Sequence, residues 1–496
     1  MHAIKTSPTW GVLLTLVIMT FPGRALAQQQ QDDMRRLLEQ RNQAQSDARE
    51  REIMKEETDK ARPTMVVEGH EYTVAHNAND VGRALYIALQ NKQWSAAQSL
   101  LDEYLTLANR DPLLVHYAQG AIARLHGDYA RAQAEYAALL DLKADFLPGR
   151  LELARVFFED QQNAEARALF DAIEQSIDRS DPKTVGVLGS IDNFQQALVE
   201  RDRWQGTAAL GPAWSDNVNR TSASSNCLIS LDGQCYFNRS TPDAAKSSGF
   251  EYDAAIEKRW SMKGHHGVYA RTTLFGQGYR DNSQFNEVTA VMQSGYSFKS
   301  GRNAFVLAPS FEYYGLGNHT LYGAPGLHAE WSWTMSPTSL IKLEGDWKRL
   351  GYRRQDYGTY LDGETTSVFA NVFKSFGERW MGFAGIDAVK SQTEEEADGF
   401  FQRGVRLGGS LQWPKGVQMT LFASSRWRSY GAYSAVLEAR RRDHEQGYTL
   451  ILRAQHLSWA GFSPVLTFRR NQVKSNIDWL YSYDRDAVSL KFEHAL

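Results

Sequence analysis

Cysteine is almost missing from this chain of 496 residues: there are two, Cys227 and Cys235, close together. A disulfide-stapled scaffold is therefore excluded, and two thiols with no nearby histidine make an incomplete zinc site. In an exported chain such a pair predicts one disulfide pinning a surface loop. No apolar run reaches eighteen residues after the start, so no transmembrane helix is expected. The start itself has Lys5, a short apolar stretch over 12–21 and the small-x-small pattern Ala25-Leu26-Ala27. This predicts a signal peptide over 1–27, cut between Ala27 and Gln28. No cysteine follows the cut, so the chain is not expected to be a lipoprotein itself. A one-sided charge is also lacking: the net charge of −3 gives no reason to expect a nucleic-acid partner. There is no nucleophile elbow, no H-E-x-x-H zinc spacing and no Gly-rich phosphate loop before a helix. Neither an enzyme nor a cofactor nor a metal is expected. His265-His266 reads as a solvated pair in a turn, and Glu394-Glu395-Glu396 as a solvated loop tip.

What the chain does have is alternation. From Trp204 to Leu496 about fourteen segments near ten residues long alternate apolar and polar side chains. In Phe250-Glu251-Tyr252-Asp253-Ala254-Ala255-Ile256 the apolar residues take every second place, which puts them on one face of a strand. The connectors also alternate in size. Lys299-Ser300-Gly301-Arg302, Met335-Ser336-Pro337-Thr338, Gly377-Glu378-Arg379 and Pro414-Lys415-Gly416 are tight, whereas 219–246, 352–360, 392–399 and 431–439 are long. Short turns on one side and long loops on the other predict an antiparallel transmembrane β-barrel over 204–496, in a Gram-negative outer membrane. Most tryptophans fall in this half, as interfacial belts require. An even strand number returns both ends to the periplasm, and the final segment, ending at Leu496, is the closing strand.

Residues 28–64 are rich in glutamine and charge and bury too little to fold alone, so they read as a polar, mobile or loosely helical leader. A small hairpin is predicted over 65–74. Helical spacing then holds to Arg203. Gly120, Ala132 and Tyr136 recur as Ala154, Ala166 and Phe170 at the period of the tetratricopeptide repeat, in which small residues let paired helices touch. Trp94, Ala97 and Leu101 look like an earlier copy offset by about one residue. An unrelated helical bundle is the alternative. A stack of this kind over 65–203 would be periplasmic and present a groove to polypeptides, for which Tyr117, Gln119, Arg150 and Phe157 are candidate contacts. In the barrel, Arg440-Arg441-Arg442 before Asp443 could brace the lumen wall by pairing with carboxylates, line a polypeptide path, or meet lipopolysaccharide phosphates.

The residues resemble one family, the surface lipoprotein assembly modulators, or Slam proteins. The likeness rests on Tyr117-Ala118-Gln119-Gly120, Phe158-Glu159 with Gln162-Asn163, Arg201-Asp202-Arg203-Trp204, Asn217-Val218-Asn219, Arg440-Arg441-Arg442-Asp443 and Ser475-Asn476. The resemblance implies a fourteen-stranded barrel behind a periplasmic tetratricopeptide-like domain. It implies a client partner, either a lipoprotein or a secreted haemophore-like protein that captures iron or haem, which is moved to the cell surface or released. Outer-membrane lipids, the barrel assembly machinery and periplasmic chaperones are the other partners to expect. No catalytic residues come with it. The competing readings are a polysaccharide exporter, a passive outer-membrane channel, and a barrel enzyme whose residues come from distant strands.

Overall fold

A computed structural model describes residues 24–55, 57, 76–414, 416–434 and 437–496. The predicted signal peptide up to residue 23 and the hairpin predicted over 65–74 lie outside the described residues. A long helix, α1 (Arg24–Ile53), comes first. Three helix pairs follow: α2 (Ala78–Gln90) with α3 (Trp94–Thr106), α4 (Pro112–Leu125) with α5 (Tyr129–Leu142), and α6 (Leu147–Glu159) with α7 (Asn163–Ser176). Helix α8 (Val185–Arg201) closes the stack.

Local chemistry sets these boundaries. Asn77, Asp111 and Asp128 cap α2, α4 and α5 by accepting from the N–H groups of Asp80, Leu113 and Arg131. Each pair turns through one left-handed residue, Lys92, Gly127 or Gln161, at close to the tetratricopeptide spacing. A Cβ on Gly120 would lie 2.8 Å from the Tyr136 ring, so the small residue is what lets α4 and α5 touch. Ala154, Ala166 and Phe170 make the next copy and are fully buried. In the first pair the aromatic comes from Tyr104, which a Cβ on Gly82 would approach to 3.1 Å. That displacement is why Leu101 aligned only with a slip.

The second half is a closed antiparallel barrel of β1 (Gln205–Ser215), β4 (Ser247–Ser261), β5 (His266–Tyr279), β6 (Glu287–Lys299), β7 (Asn303–Leu316), β8 (His319–Ser336) and β9 (Ser339–Tyr352). It continues with β10 (Gly363–Phe376), β11 (Trp380–Thr393), β12 (Phe400–Trp413), β13 (Val417–Ser434), β14 (Ala439–Ala454), β15 (Phe462–Ser475) and β16 (Tyr483–Ala495). β1 closes it by pairing with β4 on one edge (Gly206 with Ile256) and β16 on the other (Ala208 with His494). Its side chains are arranged inside out. Leu210, Phe250, Leu274, Val368, Ile386 and Leu407 point outward and are exposed, whereas Glu251, Asp253, Arg271, Glu344, Asp346 and Arg426 are buried toward the lumen. The tight turns are at the mouth that faces the helical stack. The longest connector at the other mouth carries a separate ribbon of β2 (Ser225–Leu231) and β3 (Gln234–Ser240), where Cys227 and Cys235 are disulfide-bonded.

Of the two readings of the leader, mobile or loosely helical, the structure shows a helix: residues 24–53 form α1, which runs into the barrel lumen. No helix among the described residues is long and apolar enough to cross a membrane, and α1 is mostly polar, with Met34 and Leu38 as its apolar contact in the lumen. A segment so polar cannot form an apolar core, but the lumen gives it a charged wall to pair with, which a local reading of its residues cannot see.

Candidate functional site

Three features meet where the stack joins the barrel, and the first is the junction itself. Arg201, at the end of α8, forms a fork on the Glu50 carboxylate of α1 at 3.0 and 2.7 Å. The same guanidinium donates to the Phe158 carbonyl (2.9 Å) and Asn163 Oδ1 (3.0 Å), and covers the Phe158 ring. Asp202 accepts from Ser261 Oγ of β4 at 2.8 Å and from Arg167 at 3.0 Å. Two barrel turns dock on α6 and its neighbours. In the turn at 262–265, Gly264 N–H donates to Glu165 (2.7 Å) and His265 Nε2 meets Asp160 (2.9 Å). In the turn at 300–302, Gly301 N–H donates to Asp160 (3.2 Å) and Arg302 donates to the His126 carbonyl (2.8 Å). Gly127 has φ +69° and its Cβ would meet Arg302 at 2.8 Å, so both its turn and this close approach require glycine. Phe158-Glu159, Gln162-Asn163 and Arg201-Asp202 are thus gathered in one place. The histidine pair is not simply solvated: His265 joins Asp160, and His266 Nδ1 lies 2.6 Å from the Tyr296 hydroxyl.

The second feature is the face made by α4, α6 and α8. Tyr117 is half-buried, edge-on to the Tyr136 and Phe146 rings; burial, with Glu152 nearby, pushes its hydroxyl above the ordinary range. Arg124 pairs with Glu159 (3.1 Å) and Glu152 (3.5 Å), and Arg155 pairs with Glu152 (2.7 Å). Burial pushes the Glu159 carboxyl up, with Arg124 opposing. The chain's own N-terminal segment lies here. Glu57 accepts from Ser190 Oγ of α8 at 2.8 Å and pairs with Arg155 of α6 at 3.7 Å. Ile53 and Met54 pack on the cluster of Phe158, Phe170 and Phe194. The four predicted groove residues do not come together. Tyr117 is on this face and Gln119 is half-exposed on α4. Arg150 instead bonds Ser176 of α7, and Phe157 packs into the cluster. They are two residues out of phase with Glu152 and Arg155 on the same helix, which turns them away.

The third feature is the lumen. Arg35 and Arg36 of α1 meet Asp346 and Glu344 of β9, and Arg41 meets Asp253 (2.9 Å) and Glu493 (2.7 Å). Asp33 pairs with Arg426 at 2.6 Å, and Glu39 with Arg271 at 3.5 Å. Glu39, Glu330 and Glu344 come close enough to share an ion. Lys342, at 3.2 and 2.9 Å from the last two, already supplies positive charge there, so the trio belongs to the ion-pair lattice. Of the predicted Arg440–Asp443 run, Arg441 pairs with Asp443, two residues along the same strand, at 2.7 Å and sits over the Tyr430 and Tyr481 rings. Arg440 donates to the Tyr430 carbonyl, and Arg442 is exposed. Asn476 bonds the backbone of both Arg440 and Arg442, which brings Ser475-Asn476 beside this run. The pairs that cross the lumen come from single charges spread over many strands, and only the strand alternation marks them as inward-facing.

Comparison with known proteins covers both halves. Residues 204–495 match the family model described as surface lipoprotein assembly modifier, and 67–170 match the model of that family's N-terminal TPR repeats. The chain is 39% identical over 87% of its length to the hemophilin secretion modulator of Acinetobacter baumannii, covering 89% of that protein. It is 25% identical to surface lipoprotein assembly modifier 1 of Neisseria meningitidis serogroup B, over 85% of this chain and 83% of that one. The surface lipoprotein assembly modifier of Pasteurella multocida is 26% identical, over 83% of this chain and 82% of that one.

Proposed function

Because this chain belongs to the surface lipoprotein assembly modifier family, we propose that it is an outer-membrane translocator delivering or releasing client proteins at the cell surface. The observation that carries this reading is the helical stack docked directly on one mouth of the barrel, through Asp160 and Asp202. A passive channel has no use for a polypeptide-binding stack across its mouth. The client is a surface lipoprotein or a secreted protein of the hemophilin kind; the relative named for hemophilin secretion supports the second. The stack is periplasmic, receives the client and presents it to the pore. A signal peptide cut between Ala27 and Gln28 and an even strand number support that orientation. No residue is assigned to catalysis, and client folding outside supplies direction.

Deleting the gene should leave client synthesis unchanged and abolish its surface exposure or release, read by antibody on whole cells and in the medium. Normal display in the deletion strain would refute the translocator reading.

A further inference from the structure

We propose that the barrel lumen is a polypeptide-binding site, held in this state by the chain's own residues 33–50, and that a client segment takes the same place when α1 withdraws. The inference rests on the translocator reading and adds the route and its gate.

The contacts of α1 run round the whole wall. Asp33 reaches β13, Arg35 and Arg36 reach β9, Glu39 reaches β5, Arg41 reaches β4 and β16, and Asn42 reaches β1. The wall contacts run from Asp33 to Gln45, roughly 18 Å of helix, against about 25 Å for the apolar band of such a barrel. So α1 fills most of the height of the pore.

The way it is held favours release. Leu38 is its one buried apolar side chain in the lumen among the described residues, packed with Met34 against Ala255 and Phe275. The remaining hold is mostly ionic, with Asn42 accepting from Thr207, Gln45 donating to Glu493 and Arg36 lying over the Phe369 ring. Charges drawn out of such pairs recover hydration, so an ion-paired plug is retained far less firmly than its number of pairs suggests. A plug packed through apolar side chains would recover nothing on leaving.

The wall also defines the ligand class. Asp253, Glu344 and Asp346 receive basic side chains, while Arg271, Lys348 and Arg426 receive acidic ones. A mixed-charge segment suits it. Space for one helix of about 10–12 Å admits a helix or an extended strand and excludes a folded domain. The end of the same segment lies on the stack, where Met54 and Glu57 cover α6 and α8. A client bound on that face competes with them and frees the lower end of α1.

The test locks α1 in place. Asn42 and Thr207 have side-chain oxygens 3.1 Å apart, so cysteines placed by Asn42→Cys with Thr207→Cys can be joined by a short bis-methanethiosulfonate crosslinker, whose disulfides a reductant cleaves. With the crosslink confirmed by mass spectrometry, surface client should fall at least tenfold and return on adding a reductant. Undiminished export through the locked chain would overturn the proposal. A second measurement needs no client: single-channel conductance of the purified full-length protein in a planar bilayer. Arg35→Glu with Arg36→Glu should raise it several-fold over the parent chain, and equal conductance would overturn the plug. Loss of the translocator reading looks different, because the parent chain would then fail to restore surface client to a deletion strain while the conductance change persisted.

Discussion

Arg201 ties three elements with one side chain, so its removal isolates the junction from the rest of the molecule. Arg201→Ala strips the fork from Glu50 and leaves the Phe158 carbonyl and the Asn163 amide oxygen without this donor. Glu50 is partly exposed, which reduces the cost of an uncompensated carboxylate. A loss of about 1–3 kcal/mol is expected, seen as faster hydrogen exchange at the ends of α1 and α8 with the strands unchanged. The same pair sets a pH response. Burial raises the Glu50 carboxyl, but hydrogen bonds and charge from Arg201 outweigh it, so the folded value lies below the ordinary 4.5. A depressed carboxylate stabilises the fold above the ordinary value, and that contribution is lost as pH falls through the folded one. Protection of the α1 end should therefore drop on acidification below 4.5, and Glu50→Gln should flatten the profile. An identical acid response in Glu50→Gln would show that another group controls it.

At the scale of the element, the strands and α1 obey the same rule in opposite environments. Each barrel strand puts apolar side chains outward and charge inward, so a charge on the outer face meets lipid rather than α1. Ile386, near the middle of β11, is among the most exposed apolar side chains of the outer face. Ile386→Arg should cost about 2–4 kcal/mol near the midplane and reduce the folded fraction on unheated gels. Inward carboxylates such as Asp346 should behave differently: Asp346→Asn leaves the barrel assembled and loosens α1, which conductance would report. This two-faced periodicity is why the strands and the tight turns were legible in the sequence. Helix α1 was not legible, because its partners Asp346, Asp253 and Arg426 lie hundreds of positions away and no periodicity links them. The repeat marked the helix pairs, but which way Arg150 and Phe157 face on α6 depends on how those pairs stack.

Across the whole molecule, the stack is docked on the barrel, and Asp160 holds much of that contact. Its carboxylate accepts from Gln133 (3.1 Å) and Gln162 (3.0 Å) within the stack and meets His265 (2.9 Å) and Gly301 (3.2 Å) in two barrel turns. Neither half would misfold without it, since the strand ladder and the helix pairs are complete in themselves. Asp160→Ala removes the acceptor shared by both turns, at about 1–3 kcal/mol, or roughly a tenfold to hundredfold rise in local opening. Hydrogen exchange in the turns at 262–265 and 300–302 should quicken by that factor while β4 through β7 stay protected. Export should fall with it, because the stack then no longer presents a client in line with the pore. If the turns open and export is unchanged, fixed docking is not needed for transfer. The stack would then act as a tethered receptor rather than an aligned one.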